Sequence, residues 1–194
     1  MMVDMYSIHS PAATLTIAGS EATGGAGAQA DLRTFNELGT YGMAALTCIV
    51  AYDPENNWRH RITQIDPEVL ADQLEAVQAN FAGRLDTVKL GMLGSVDTIE
   101  VVANALRSQE WKHIVLDPVL ICKGQEPGDA LDTDEALKAQ LLPMATVTTP
   151  NHFEAEQLAG MTISNLAELK DAARKIHDTF GVSVLAKGGV RLVG

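Results

Sequence analysis

The sequence predicts an α/β domain: a mostly parallel sheet with helices on both faces. Three observations carry this. Short apolar, β-branched runs alternate with helical patterns along the chain, which is the signature of βαβ units. The run from Ala44 to Val50 is almost continuously apolar, as a strand covered on both faces must be. The chain has 194 residues, 46% hydrophobic and 20% charged, enough for one globular core and too apolar for a disordered chain.

The elements follow in order. Residues 1–12 read as a disordered or extended N-terminus of a single domain spanning 1–194. Thr14 to Ala18 is a first strand, and Ala28 to Leu38 a helix stopped by Gly39. Ala44 to Val50 is a second strand, and Tyr52 to Gln64 is polar and irregular with room for a short edge strand. Asp66-Pro67 reads as an N-cap followed by proline at the first helical position, opening a helix to about Asn80. Thr87 to Leu90 is a strand, Val96 to Gln109 a helix and His113 to Leu116 a strand. A glycine- and acid-rich loop runs from Cys122 to Ala130, and Asp132 or Thr133 caps a helix to about Leu142. Thr146 to Thr148 is a strand, and Asn151 caps a short helix to about Ala159. Leu166 to Phe180 is a helix and Ser183 to Ala186 a strand. The stretch from Lys187 to Gly194 reads as the start of a connection or hairpin, so a further C-terminal part is expected.

Fourteen Lys and Arg against 25 Asp and Glu give a net charge of −11. Without clustered cations a generic nucleic-acid partner is excluded, and any phosphate must be held by backbone N–H groups, helix N-termini or a metal ion. Cys48 and Cys122 have no metal-ligand spacing; Cys48 lies in a buried run, which fits a reducing compartment. No apolar run approaches the ~20 residues of a membrane span, and Met1 to Pro11 lack a signal-type apolar core. A cytoplasmic protein is expected.

In such folds ligands sit beyond the carboxyl ends of the strands. After the first strand, Gly19 to Asp31 is glycine-rich and leads into a helix. It lacks the Gly-Lys-Ser/Thr of a nucleotide P-loop. Gly25-Ala26-Gly27-Ala28-Gln29-Ala30 fits the relaxed dinucleotide pattern, but starts seven residues past Ala18, where that motif should begin at the strand end. Gly91-Met92-Leu93-Gly94-Ser95 is either a tight turn with Ser95 as N-cap or a wall with Met92 over a flat ligand. Asp117, leaving a buried strand before Pro118, needs a partner or a cation. Asn151 and Glu154 share a helical face, as a capping box or as oxygens ordering water around Mg²⁺. His152, on another face, reads as a surface residue. Lys187 before Gly188-Gly189 is a phosphate ligand or an exposed turn lysine. Trp58 and Trp111 read as packing or interface anchors.

Taken together, Gly19-Ser20-x-x-x-Gly24-Gly25-Ala26-Gly27-x-Gln29-Ala30-Asp31, Leu38-Gly39-x-Tyr41-Gly42-Met43, Lys89-x-Gly91-Met92-Leu93-Gly94-Ser95, Asp117-Pro118-Val119, Thr149-Pro150-Asn151-x-x-Glu154-Ala155 and Lys187-Gly188-Gly189 resemble the hydroxymethylpyrimidine kinase and bacterial pyridoxal kinase branch of the ribokinase-like superfamily. The resemblance implies a three-layer sandwich and an ATP- and Mg²⁺-dependent kinase acting on a hydroxymethyl group of a small aromatic heterocycle. It assigns Gly19, Asp31, Tyr52, Met92 and Val119 to the heterocycle, Asp117, Asn151, Glu154, Lys187 and Gly188 to ATP, and Asp117 and Glu154 to the metal. It also implies a cytoplasmic homodimer with no membrane or nucleic-acid partner.

Two departures stand out. Ser20-Glu21 replaces the family's Ser-Asp. The later Gly-x-Gly-Asp or Gly-x-Gly-Cys motif, source of the anion hole and the base, is not found, and neither Cys48 nor Cys122 stands in such a motif. The catalytic base is therefore unassigned, and residues 1–194 alone are expected not to turn over. Tyr52 stands where hydroxymethylpyrimidine kinases often carry Gln. Together with Asp53-Pro54-x-x-Asn57-Trp58-x-His60 and Val119-Leu120-Ile121-Cys122-Lys123-Gly124, it resembles the pyridoxal-kinase-like members. Pyridoxal or pyridoxine is the expected substrate, with hydroxymethylpyrimidine as the alternative. A non-catalytic binding module on the same fold is the rival of another class.

Overall fold

The computed structural model describes residues 11–120 and 127–189, with the side chains of 127–131 set aside. Expectations that fall on residues 1–10, on 121–126 including Cys122, Lys123 and Gly124, or on 190–194 lie outside the described residues. The described strands are β1 (Ala13–Glu21), β2 (Tyr41–Asp53), β3 (Arg59–Gln64), β4 (Leu85–Leu90), β5 (His113–Leu116), β6 (Val147–Thr148) and β7 (Ser183–Val184). The helices are α1 (Gly27–Glu37), α2 (Pro67–Asn80), α3 (Val96–Arg107), α4 (Pro127–Gln140), α5 (His152–Ala159) and α6 (Leu166–Phe180).

The strands form one sheet in the order β3-β2-β1-β4-β5-β6-β7. Every pairing is parallel except β2 with β3. Right-handed crossovers put α1 on one face, because β1 to β2 steps one way along the sheet. They put α2, α3 and α4 on the other, because the chain then steps back past β1. The packing agrees: α1 lies on β1 and β2, while α2 packs on α3 and α3 on α4. The order thus reverses between β1 and β4, and ligands of open α/β sheets bind at such a switch point.

The core follows from the strand composition. β1 is buried along almost its whole length, with Leu15, Ile17 and Ala18 at 1% exposure or less. Leu70 and Leu74 of α2, Ile99, Val102 and Leu106 of α3, and Ile176 of α6 complete it. β3 is different. It is an exposed antiparallel edge with Arg59 and Arg61, and charge on an edge strand discourages further pairing.

Helix boundaries respond to local chemistry. Asp66 caps α2 by accepting from the Glu68 amide, with Pro67 at the first position. Ser95 caps α3 and Asn165 caps α6. Two expected boundaries are corrected: β2, expected to end at Val50, continues through Tyr52 to Asp53, held by its pairing with β3, and a helix starts early. The segment from 127, expected as loop until Asp132, is already helical, since α4 starts at Pro127. Proline lacks the N–H that a first helical turn leaves unpaired and presets its φ. At the other end Pro143 cannot continue an α-helix, so α4 stops at Gln140 and Leu142–Met144 turns as a 3-10 segment.

Candidate active site

Two neighbouring arrangements occupy the carboxyl ends of the strands. The first is a cavity of about 190 Å³ at the β1/β4 switch point. Gly19, Tyr52, Met92 and Val119, all expected to face a heterocycle, line it. Asp31 does not. Its Oδ2 accepts from Thr16 Oγ1 at 2.6 Å and from Lys89 Nζ at 2.9 Å, and it is Lys89 that reaches the cavity. Glu21 and His60 also line the cavity, and with Lys89 they are residues that the sequence reading missed.

Gly19 sits at an irregularity in the sheet. Between Ala18 and Ser20, β1 advances two residues while β2 advances three, from Leu46 to Ile49, so Thr47 and Cys48 bulge opposite Gly19. A Cβ on Gly19 would lie 2.7 Å from Cys48 Sγ and 3.0 Å from Met92 Cε. Thr47 Oγ1 donates to the Met92 carbonyl at 2.7 Å, tying the bulge to the loop that carries Met92. Cys48 is fully buried, which pushes its thiol pKa up.

The glycine-rich turn between β1 and α1 is organised by Glu21. This side chain is only 5% exposed. Its oxygens accept from the amides of Thr23, Gly25 and Ala26 and from Thr23 Oγ1 at 2.6–3.2 Å. These donors, the Thr23 amide foremost, hold its pKa below the usual carboxylate range despite burial. Glutamate in place of the family's aspartate thus acts as the anchor of the turn. Gln29 braces the same corner, accepting from the Glu21 amide and donating to Ser20 Oγ. Gly27 opens α1 at φ +62°, and a Cβ there would lie 2.3 Å from the Gly19 carbonyl, so only glycine fits. The Tyr52 phenol is pushed above its ordinary pKa by burial and then by the Glu21 carboxylate, and its ring meets His60 edge-on at 4.9 Å.

The second arrangement lies beyond β5, β6 and β7. Lys187 Nζ donates to Asp117 Oδ1 at 3.0 Å, and Thr149 Oγ1 donates to the same oxygen at 3.1 Å. Asn151 and Glu154 form a complete capping box. Asn151 Oδ1 accepts from the Glu154 amide at 2.9 Å, and Glu154 Oε2 accepts from the Asn151 amide at 2.7 Å. The cap thus takes the Asn151 oxygen, and among the described residues its NH₂ and Glu154 Oε1 have no hydrogen-bond partner. Glu154 is buried, and its pKa rises to about 7. Burial is the main cause and the Asp117 charge adds to it; the Asn151 amide and Lys187 oppose. Gly188 follows Lys187, whose amide donates to the Pro150 carbonyl at 2.8 Å.

His152 is corrected: it is 8% exposed, not a surface residue, and its Nδ1 has no hydrogen-bond partner. Of the tryptophans, Trp111 packs on the core and donates to the Leu106 carbonyl, whereas Trp58 is 65% exposed at the β2–β3 turn. Among the described residues no helix is long and apolar enough to cross a membrane.

The two arrangements share one loop. Val119 lines the cavity while Asp117 faces Lys187, and the Val119 amide donates to the Asp117 carbonyl at 2.9 Å. A mostly parallel sheet with these joined strand-end sites is a ribokinase-like fold, the fold of pyridoxal and phosphomethylpyrimidine kinases. More narrowly, the chain belongs to the phosphomethylpyrimidine kinase family, whose sequence profile matches residues 21–193. It is 45% identical over 179 residues to the pyridoxine kinase of Bacillus subtilis, covering 92% of this chain and 65% of that protein. The crystal structure of an ADP complex of Bacillus subtilis pyridoxal kinase superposes with a TM-score of 0.87 at 43% identity, over 95% of this chain and 69% of that one. The pyridoxal kinase of Staphylococcus aureus in complex with AMP-PCP and pyridoxal gives 0.83 at 40% identity, over 95% and 65%. The chain thus spans about 65% of the length of the curated relatives it matches.

Proposed function

We propose that the protein is an ATP-dependent kinase for the hydroxymethyl group of pyridoxal or pyridoxine. The observation that carries this reading is the shared Asp117–Val119 loop, which joins an apolar, aromatic-lined slot to a carboxylate-lysine cluster. Phosphoryl transfer requires alignment and charge neutralisation more than covalent chemistry. Met92, Val119 and Tyr52 offer faces to a flat ring, and Lys187 offers a point charge to phosphate oxygens. Asp117, Asn151, Glu154, Lys187 and Gly188 form the nucleotide side.

Magnesium fits the same cluster. Asp117 and Glu154 are hard oxygen donors. Among the described residues Glu154 Oε1 has no hydrogen bond, and burial with a like charge nearby disfavours its ionised form, a cost that a cation relieves. Two carboxylates completed by water and phosphate are the usual surroundings of this ion. When bound, it neutralises phosphate charge. A pure binding module has no use for this cluster, which argues for an enzyme. A cytoplasmic homodimer belongs to the same reading, and light scattering and cell fractionation test it.

The family profile favours a second reading, hydroxymethylpyrimidine or its phosphate as substrate. The aromatic Tyr52 supports the pyridine, since a phenol ring stacks where a carboxamide would hydrogen-bond an aminopyrimidine. Because residues 1–194 alone are expected not to turn over, the test is phosphate-ester formation from pyridoxal and from hydroxymethylpyrimidine with Mg-ATP by the chain extended with the expected C-terminal part. A higher kcat/KM for pyridoxal is expected. A tenfold preference for the pyrimidine installs the second reading, and no transfer to either compound sinks both.

A further inference from the structure

We infer that Lys89 orients the heterocycle, by donating a hydrogen bond from its ammonium to an acceptor atom on the ring edge. This rests on the reading of the cavity as the heterocycle site. Lys89 lies on β4 directly opposite Thr16 of β1, at the switch point of the sheet. Its side chain is 22% exposed and lines the cavity. An ammonium carries three donors and no acceptor. One proton goes to Asp31 Oδ2, which Thr16 Oγ1 holds from the other side. Among the described residues the remaining donors have no acceptor, and a partly buried charge gains most from a partner there.

Two of the other polar lining groups are committed, while His60 offers an imidazole that meets the Tyr52 ring edge-on. Glu21 is occupied by three amides and a hydroxyl, and Tyr52 leans on Glu21 and His60. Space for the ammonium is kept by Gly91, where a Cβ would lie 2.9 Å from Nζ. Lys89 is thus the cavity's fixed cation among the described residues, pinned at one proton and open at the others. The chemistry it recognises is an acceptor in the plane of an aromatic ring: the ionisable ring hydroxyl of a hydroxypyridine, or a ring nitrogen of either heterocycle.

The experiment is calorimetry on the protein with pyridoxine, its analogue lacking the ring hydroxyl, its analogue with CH for the ring nitrogen, and hydroxymethylpyrimidine. A non-hydrolysable ATP analogue is titrated separately. Lys89→Met is paired with the double variant Lys89→Met/Asp31→Asn, which leaves no orphaned carboxylate. Both should bind pyridoxine, or the pyrimidine if that is the wild-type ligand, about 10–100-fold more weakly, the usual worth of a charge-assisted hydrogen bond. The nucleotide analogue should bind unchanged. Deleting the acceptor that Lys89 touches should make wild type and variant equal for that one pyridoxine analogue. If the double variant binds the heterocycle like wild type, the inference is overturned and the kinase reading stands. A uniform loss across every heterocycle and the nucleotide likewise overturns it, because that marks a structural role. Wild-type protein that binds neither heterocycle overturns the functional reading itself.

Discussion

Glu21 and Glu154 are each 5% exposed, and each lies near the carboxyl end of a parallel strand. Their carboxyl pKa values shift in opposite directions. Glu21 is held below the ordinary range by three amides and a hydroxyl, whereas Glu154 has one amide, a like charge nearby, and a pKa of about 7. Equal exposure therefore does not by itself set the state of a carboxylate here: burial raises Glu154, whereas at Glu21 the surrounding donors outweigh it. The cavity beside β1 carries a carboxylate held by four donors, which fixes a turn. The cluster around Lys187 carries one whose Oε1 accepts no hydrogen bond from the described residues, which under the proposed function suits a transient cation.

The largest expected effect tests the spare oxygen. Glu154→Gln should lower turnover about 10–100-fold and raise the Mg²⁺ requirement, while pyridoxal affinity holds. Mg²⁺ titrations superimposable on wild type would remove Glu154 from the metal. Next comes the turn. Gly27→Ala forces a Cβ against the Gly19 carbonyl at φ +62°, at a cost of at least ~1–3 kcal/mol, and should weaken heterocycle binding together with thermal stability. An unchanged Tm would mean that the turn relaxes freely.

A smaller effect is expected at Lys187. It is 46% exposed, so Lys187→Met should weaken nucleotide-analogue binding only several-fold and leave the heterocycle alone. An effect on the heterocycle instead would mean that the two sides are one site. The smallest effect is acid stability. Glu21 has a native pKa below its unfolded value of 4.5, so its contribution is present above that pH and is lost as pH falls through the lowered value. Glu21→Gln should flatten this acid limb of the unfolding curve. A limb of unchanged slope would assign it to other carboxylates.

Much of this was legible in the sequence, where local rules decide. Asp66-Pro67 marks α2, β5 runs from His113 to Leu116, and α6 from Leu166 to Phe180, as expected from caps and periodicity. The start of α4 was misplaced because glycine and acidic residues mask the helix signal of Pro127. The cluster of Asp117, Thr149 and Lys187 was legible in kind, since strand-end position implies proximity. The pairing of Asp31 with Lys89 was not. The two are 58 residues apart and meet because α1 lies on β1, where Asp31 reaches Thr16, which the sheet pairs with Lys89 of β4. The burial of His152 escaped for the same reason: a helix's face has no address until its neighbours are in place.

The cavity wall at Tyr52 and His60 belongs to the one antiparallel pair among the described strands, where these two residues face each other across β2 and β3. The floor is parallel strand, fixed by neighbours on both sides, but this wall is a hairpin at the margin. A one-residue slip in such a pairing turns every side chain over to the opposite face. Under the proposed function, the hairpin is a detachable panel on a rigid chassis. Its residues and its length are the natural place to alter which ring is admitted, since neither change touches the strands that carry Gly19 and Lys89.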